Sequence, residues 1–429
     1  MEQNTNCIFF LFFFFSFFLF SCFFFLSLSL SHTLSFFCFD CMDEQLLQYF
    51  YNSCRQQHER FKMLKTQITK TVVSVTNDTM ATSDQIPLSS LHPNVKLHII
   101  DGTSFTTQIT YTYAIANIVV HVMLPNNHCK WNDNYVYKYI MPWLGHFCHP
   151  RSSNTTVFLY YTSHKKVHTT TSSLQIEPLH VNTGVTIPQL HDQDTKHIVI
   201  YRAEEWFKVL LHESLHAFRY DWSTNETACR TTSTCMRRMF GLMSLPVVNL
   251  YETYVECWAR ILYILFCSYY AKVLRTVPRQ QQYASFCEQA TNLWKREMQF
   301  ARNQRNKIIR LIQEHKQTES TYTETTNVLA YYVWTADILS AFPNSVSVFI
   351  TTSWVNKQQL PWQCDPFTTP NQICAIIKNT YLSLRSITSS ATTARQRRHP
   401  FKLFQSHGSK HSLENNKTMR MTITSISAN

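Results

Sequence analysis

The stretch KVLLHESLHAF, Lys208 to Phe218, carries a histidine, a glutamate, two intervening residues and a second histidine. On a helix, residues four apart share a face, so the imidazoles of His212 and His216 project side by side. Two imidazoles so placed can take one Zn²⁺, with Glu213 near enough to act on a water that the metal acidifies. Such a metal lowers the pKa of water towards ~7, and the carboxylate takes its proton as it attacks a carbonyl. In a chain of this composition the pattern arises by chance with a probability of roughly 3%, so it needs a third ligand to be decisive. The bland alternative is a helix whose histidines face solvent.

A third histidine in the pattern HExxHxxGxxH, that of the metzincins, is not there. Arg219 stands at its glycine and Trp222 at its last histidine. The stretch NLYETYVECWARILYIL instead places Glu252 and Glu256 one helical turn apart, followed by apolar Val255, Trp258, Ile261, Leu262, Ile264 and Leu265. Two carboxylates at the head of such a helix are costly to bury unless they are paired or bind a metal. Two innocent accounts compete. Glu256 is spaced to pair with Arg260, and Glu252 could simply begin the helix, where acids are favoured.

From about Ile198 to Phe266 the sequence resembles the gluzincin side of the HExxH metallopeptidase superfamily. The resemblance implies zinc as cofactor, a peptide or protein substrate, and a zincin-like fold. It makes His212, His216 and Glu252 the zinc ligands, Glu213 the general base, and Glu256 the group that orients a ligand histidine. Two departures stand out. The usual ExxxD ends here in glutamate, and Glu252 lies 36 positions after His216, further than in thermolysin-like enzymes. Glu256 could therefore be the ligand with Glu252 behind it, and Asp221 is a more distant candidate. The preceding HIVIYRAEEW fits the substrate-lining edge strand of zincins, to which an extended peptide could pair. More loosely, VNTGVTI, IVIYRAEEWFKVLLHE and YETYVECWA are similar to uncharacterised zincin-like proteins of large DNA viruses. That likeness implies a virus-derived gene and brings no substrate with it. A donor to the developing oxyanion is also needed, and Tyr201, Arg202, Tyr254, Tyr331 and Tyr332 all qualify by type.

These residues need elements to hold them. Residues 43 to 70 read as a helix, with Leu46, Leu47, Phe50, Tyr51 and Phe61 on an apolar stripe. VKLHIID, TQITYTYAIANIVVHVM, TTVFLYYT and HIVIY are rich in β-branched and aromatic residues, as strands are. From Glu204 helical patterns dominate, over 204–220, 248–275, about 281–316 and about 324–341. Phe207, Leu211, Leu215 and Phe218 would bury the motif helix and hold its ligands. The expected fold is α+β, a sheet-bearing N-terminal half followed by a helical half. The expected division is a low-complexity tract at 1–41, a helical lead-in at 42–93, the metallopeptidase-like domain at 94–385 and a basic disordered tail at 386–429.

Composition narrows the rest. The chain has 429 residues and five glycines, Gly102, Gly145, Gly184, Gly241 and Gly408. No two lie close enough for a phosphate-cradling loop, which excludes P-loop and dinucleotide-binding readings and any nucleotide cofactor. The net charge is +12, yet residues 386–429 alone hold seven Lys/Arg against one acid, Glu414. The run Arg395, Gln396, Arg397, Arg398 reads as part of a solvated tail, so nucleic acid is not an expected partner. Fourteen cysteines are too few for a disulfide scaffold, although Cys229 and Cys235 could close a small loop in an oxidising compartment. Residues 9–39 hold fifteen of the 31 phenylalanines and no charged side chain. That run suits a membrane anchor, suits a secretory signal less well, and equally suits translated pyrimidine-rich sequence preceding a true start at Met42.

Three functions compete at this stage. The first is a zinc-dependent peptidase. The second is a zincin-fold protein that only binds. The third is a protein whose activity lies in its tails, by membrane anchorage or nucleic-acid contact.

Overall fold

The computed structural model describes residues 43–77, 91, 93–100, 103–125, 131–148, 154–167, 176–187, 195–242, 244–245, 247–271, 276–317, 324–340, 345–354, 359–389 and 418–423. The tract at 1–41, with its anchor, signal or start-site readings, lies outside them, as does the run at Arg395. Among the described residues no helix is long and apolar enough to cross a membrane.

The fold is α+β around one mixed six-stranded sheet. Its strands are β1 (Ile68–Ser74), β2 (Phe105–Tyr113), β3 (Ile118–Pro125), β4 (Thr155–Tyr160), β5 (Gly184–Ile187) and β6 (Lys196–Ile200). Their order is β1-β2-β3-β4-β6-β5. The pairs β1/β2, β2/β3 and β5/β6 are antiparallel, while β3/β4 and β4/β6 are parallel. Alternation along β2 sends Ile109, Tyr111 and Tyr113 into the main core, while Phe105, across a register shift, joins a second apolar cluster. HIVI, expected at the edge, is β6, covered on both sides by β4 and β5. The edge on that side is β5, because the four residues GVTI pair with β6.

Other expectations change as well. VKLHII, from the stretch read as a strand, lies in a helix, Pro93–Ile100. Proline at the first position presets φ for a helix, and Val95 and Ile99, one turn apart, are both buried. The first helix is Glu44–Leu64 rather than 43–70, because the β-branched run that follows pairs with β2. Leu46, Leu47 and Phe50 share one hydrophobic cluster with residues of the sheet and of both motif helices. Described residues also fall within the expected tail at 386–429. A helix spans Thr369–Ser389, and residues 418–423 are packed against the body of the protein, with Met419 and Met421 buried.

Against the sheet lie the two helices that carry the motif residues. The histidine helix, Trp206–Ala217, and the carboxylate helix, Leu250–Tyr269, are apolar nearly all round and buried accordingly. Phe266, on the carboxylate helix, meets Phe50, Phe147 and Phe207 edge-on, with ring centroids 5.0, 5.6 and 5.2 Å away. Such packing makes the two helices a rigid frame. The long helix Gln282–Gln317 and a π-helical segment, Leu329–Trp334, also pack against the carboxylate helix.

Candidate metal centre

The histidine helix presents His212 and His216 on one face, and the carboxylate helix crosses beside them with Glu252 and Glu256. The Nε2 atoms of the histidines lie 3.2 Å apart, and Oε2 of Glu252 lies 3.2 Å from His212 Nε2 and 3.3 Å from His216 Nε2. His212, His216 and Glu252 together could hold a metal ion.

The outer nitrogen of each imidazole is also engaged. His212 Nδ1 faces Glu256 Oε2 at 3.1 Å, and His216 Nδ1 contacts Asp221. Each carboxylate can only accept, so each Nδ1 carries the proton and donates it. With that tautomer the two Nε2 atoms and a Glu252 oxygen are left facing one another, a donor set that could hold a cation. Burial works against protonating either histidine, yet the acids win. Glu252 and Glu256 raise the pKa of His212, and Asp221 with Glu252 raises that of His216 well above the usual value. Burial likewise disfavours charge on Glu252, but the two histidines hold its carboxyl far below the ordinary range.

Glu252 is therefore the carboxylate that faces both inner nitrogens, and Glu256 stands behind His212. The innocent pairing exists as well, since Arg260 Nε donates to Glu256 Oε1 at 2.9 Å. Lys208 Nζ donates to both Glu256 oxygens, at 2.8 and 3.0 Å. Glu256 is fully buried, and although burial raises its pKa, Lys208, Arg260 and His212 keep it well below the usual carboxylate value. Asp221 supports His216 rather than joining the inner three.

Asp221 reaches His216 because of a turn at Arg219. That residue has φ 56°, in the left-handed region. Arg219 N donates to His216 O and Tyr220 N to Leu215 O, both at 2.9 Å. This is the Schellman ending of a helix, usually built on glycine. The chain thus turns at the metzincin glycine position without a glycine. Trp222, at that pattern's third histidine, is fully buried in the core instead.

Glu213 points into a cleft of about 890 Å³ that runs between β5 and the inner three residues. Thr186 on β5 donates its hydroxyl to Glu213 Oε2 at 2.9 Å and to Glu213 O at 2.8 Å. Strand and helix come this close only because residue 184 is glycine. A Cβ there would lie 2.7 Å from Val209 Cγ1, 3.0 Å from Val199 O and 3.2 Å from Glu213 Cγ.

Of the five oxyanion candidates one faces the cleft centre. Tyr331 Oη donates to Glu252 Oε2 at 3.2 Å, and Asn327 Nδ2 holds Glu252 Oε1 at 3.1 Å. Tyr254 donates to Trp362 O and Tyr332 to Met419 O. Arg202 caps the carbonyls of Lys165 and Leu179, and Tyr201 is buried in a separate apolar cluster.

Sequence reasoning missed Lys208, Thr186, Gly184 and the role of Asp221. Lys208 was legible, since it lies one turn before His212 on the same face. Cys229 and Cys235 cannot bridge. They lie six positions apart on the helix Glu226–Phe240, a rise of roughly 9 Å. All described cysteines are free. Compared with protein-family models, curated proteins and solved structures, the chain has no match in any of the three.

Proposed function

We propose that the protein is a zinc-dependent metallopeptidase that hydrolyses peptide bonds, with zinc held by His212, His216 and Glu252. The observation carrying this reading is the convergence of two Nε2 atoms and one carboxylate oxygen with spacings of 3.2, 3.2 and 3.3 Å. Tetrahedral zinc with bonds of about 2.0–2.1 Å separates its ligand atoms by about 3.3–3.4 Å. Two imidazoles and a carboxylate suit zinc, with a fourth direction open to the cleft.

Zinc bound there supplies Lewis acidity, which acidifies water and polarises a carbonyl. Glu213 takes the proton from the attacking water and later returns it to the leaving amine. Thr186 fixes the Glu213 carboxylate for that task. Tyr331 lies where its hydroxyl can turn from Glu252 to the oxyanion that develops on the substrate. Asp221 and Glu256 hold the ligand histidines in the tautomer that offers Nε2.

The test is cleavage of a peptide library by the zinc-loaded protein and by Glu213→Gln. Wild type should cleave, a chelator should stop it and zinc should restore it. Glu213→Gln should bind zinc as before but lose about 10²–10⁴-fold in turnover. Zinc binding without cleavage of any peptide would overturn the peptidase and leave a zincin-fold binding protein.

A further inference from the structure

The residues 418–423 belong to no helix and no sheet strand, yet three of the six are buried. Met419 is 0% exposed, Met421 4% and Thr422 1%. An isolated antiparallel bridge joins Thr418 to Val167. Met419 N donates to Lys166 O at 2.8 Å, and Tyr332 Oη donates to Met419 O at 2.5 Å.

Two buried acids receive the rest of the segment. Met421 N and Thr422 N donate to Glu205 Oε1 at 2.8 and 2.6 Å. Thr422 Oγ1 and Ile423 N donate to Glu297 Oε2 at 2.7 and 3.0 Å. Glu205 immediately precedes the histidine helix with φ 61°, an unfavourable conformation for a residue with a side chain. Its carboxylate makes no bond to the helix's own N–H groups. It is spent on the segment and on Lys166, which lies 2.8 Å away. A buried carboxylate without donors is costly, so Glu205 and Glu297 both need these partners.

The segment also reaches the back of the metal centre. Lys208 Nζ lies 3.3 Å from Met421 Sδ and holds Glu256, which holds His212 Nδ1. Met421, Lys208, Glu256 and His212 line one small void behind the cleft. We infer that residues 418–423 form an intramolecular strap that positions the metal ligand His212 through Lys208 and Glu256, so that tight metal binding requires the docked segment. This rests on the metal-centre reading above. Undocking would leave Glu205 and Glu297 short of two donors each and admit water to Lys208 and Glu256. Glu256 would then swing free of His212 Nδ1, and the ligand would lose its fixed tautomer and orientation.

The test uses full chains of wild type, Met421→Leu, Met421→Asp and Thr422→Pro. Zinc affinity is read by competition with a chromogenic chelator, and docking by hydrogen-exchange protection of 418–423. Met421→Asp puts a third carboxylate beside Glu205 and Glu256, and Thr422→Pro removes an N–H given to Glu205. Both should lose protection at 418–423 and bind zinc about 10–100-fold more weakly. Met421→Leu, which keeps the apolar volume, should stay within about threefold of wild type, since volume-conserving swaps are well tolerated. Adding a synthetic peptide of residues 416–425 should restore the affinity of the undocked variants. The inference is overturned if either undocked variant, still cooperatively folded, binds zinc as tightly as wild type, or if both keep the segment protected. Should Met421→Asp not fold, Thr422→Pro alone decides. A wild type that binds no zinc overturns the metal-centre reading instead.

Discussion

Replacing Glu256 by glutamine isolates what the buried charge behind His212 does. Oε1 of Glu256 takes donors from Lys208 at 3.0 Å and Arg260 at 2.9 Å, and Oε2 takes Lys208 at 2.8 Å and His212 Nδ1 at 3.1 Å. Glutamine keeps the shape, but its NH₂ must replace one of those oxygens and can accept nothing. Turned one way it confronts Arg260, which still has Glu297 at 3.4 Å. Turned the other way it confronts His212. In both orientations Lys208 Nζ is left without the carboxylate it donates to. Removing one partner of a buried ion pair costs about 3–5 kcal/mol, and loss of the support for a ligand histidine costs about 10–100-fold in metal affinity. Urea unfolding of the metal-free protein measures the first and chelator competition the second. Lys208→Met combined with Glu256→Gln removes the stranded cation and should recover about 1–2 kcal/mol of the loss. A single-variant loss under about 1 kcal/mol, or a double variant no better than the single, would refute the reasoning about a buried pair.

The same structure predicts three simpler outcomes. Gly184→Ala drives a Cβ to 2.7 Å from Val209 and so pushes β5 from the histidine helix. It should cost about 1–3 kcal/mol by thermal unfolding and lower turnover further by freeing Glu213 from Thr186, while zinc stays bound. Arg219→Gly relieves a left-handed backbone and should raise stability by about 0.5–1 kcal/mol with metal affinity unchanged, because φ 56° suits glycine. Metal affinity should also rise with pH. His212 and His216 have raised pKa values in the metal-free site, and a metal takes only neutral imidazole, so protons compete below those values. Titration calorimetry across about pH 5.5 to 8.5 should show affinity climbing by up to about tenfold per proton released per pH unit, and a flat profile would contradict it.

How much of this was legible in the sequence follows from the range of the forces involved. The i,i+4 spacings in LHESLH and YETYVE survive into the structure because helix periodicity is local and both helices are otherwise apolar. The β-branched runs became strands for the same local reason, except VKLHII, which follows a proline and is helical. Strand order was not legible, since which strand takes the edge depends on how a four-residue hairpin arm folds back on β6. Asp221 was hidden by a turn that usually needs glycine and is made here by Arg219. Tyr331 could not be chosen over Tyr332, its neighbour, until the π-helical segment showed which of the two faces Glu252. The strap at 418–423 gave no periodic signal at all. Six residues flanked by polar, charged sequence are held by two buried acids more than a hundred positions away.

Metal content of the purified protein tests the account most directly. Elemental analysis after exhaustive dialysis should find one equivalent of zinc per chain in wild type and none in His216→Ala or Glu252→Ala, with all three folded by circular dichroism. A wild type without zinc, or a Glu252→Ala that keeps a full equivalent, would contradict it.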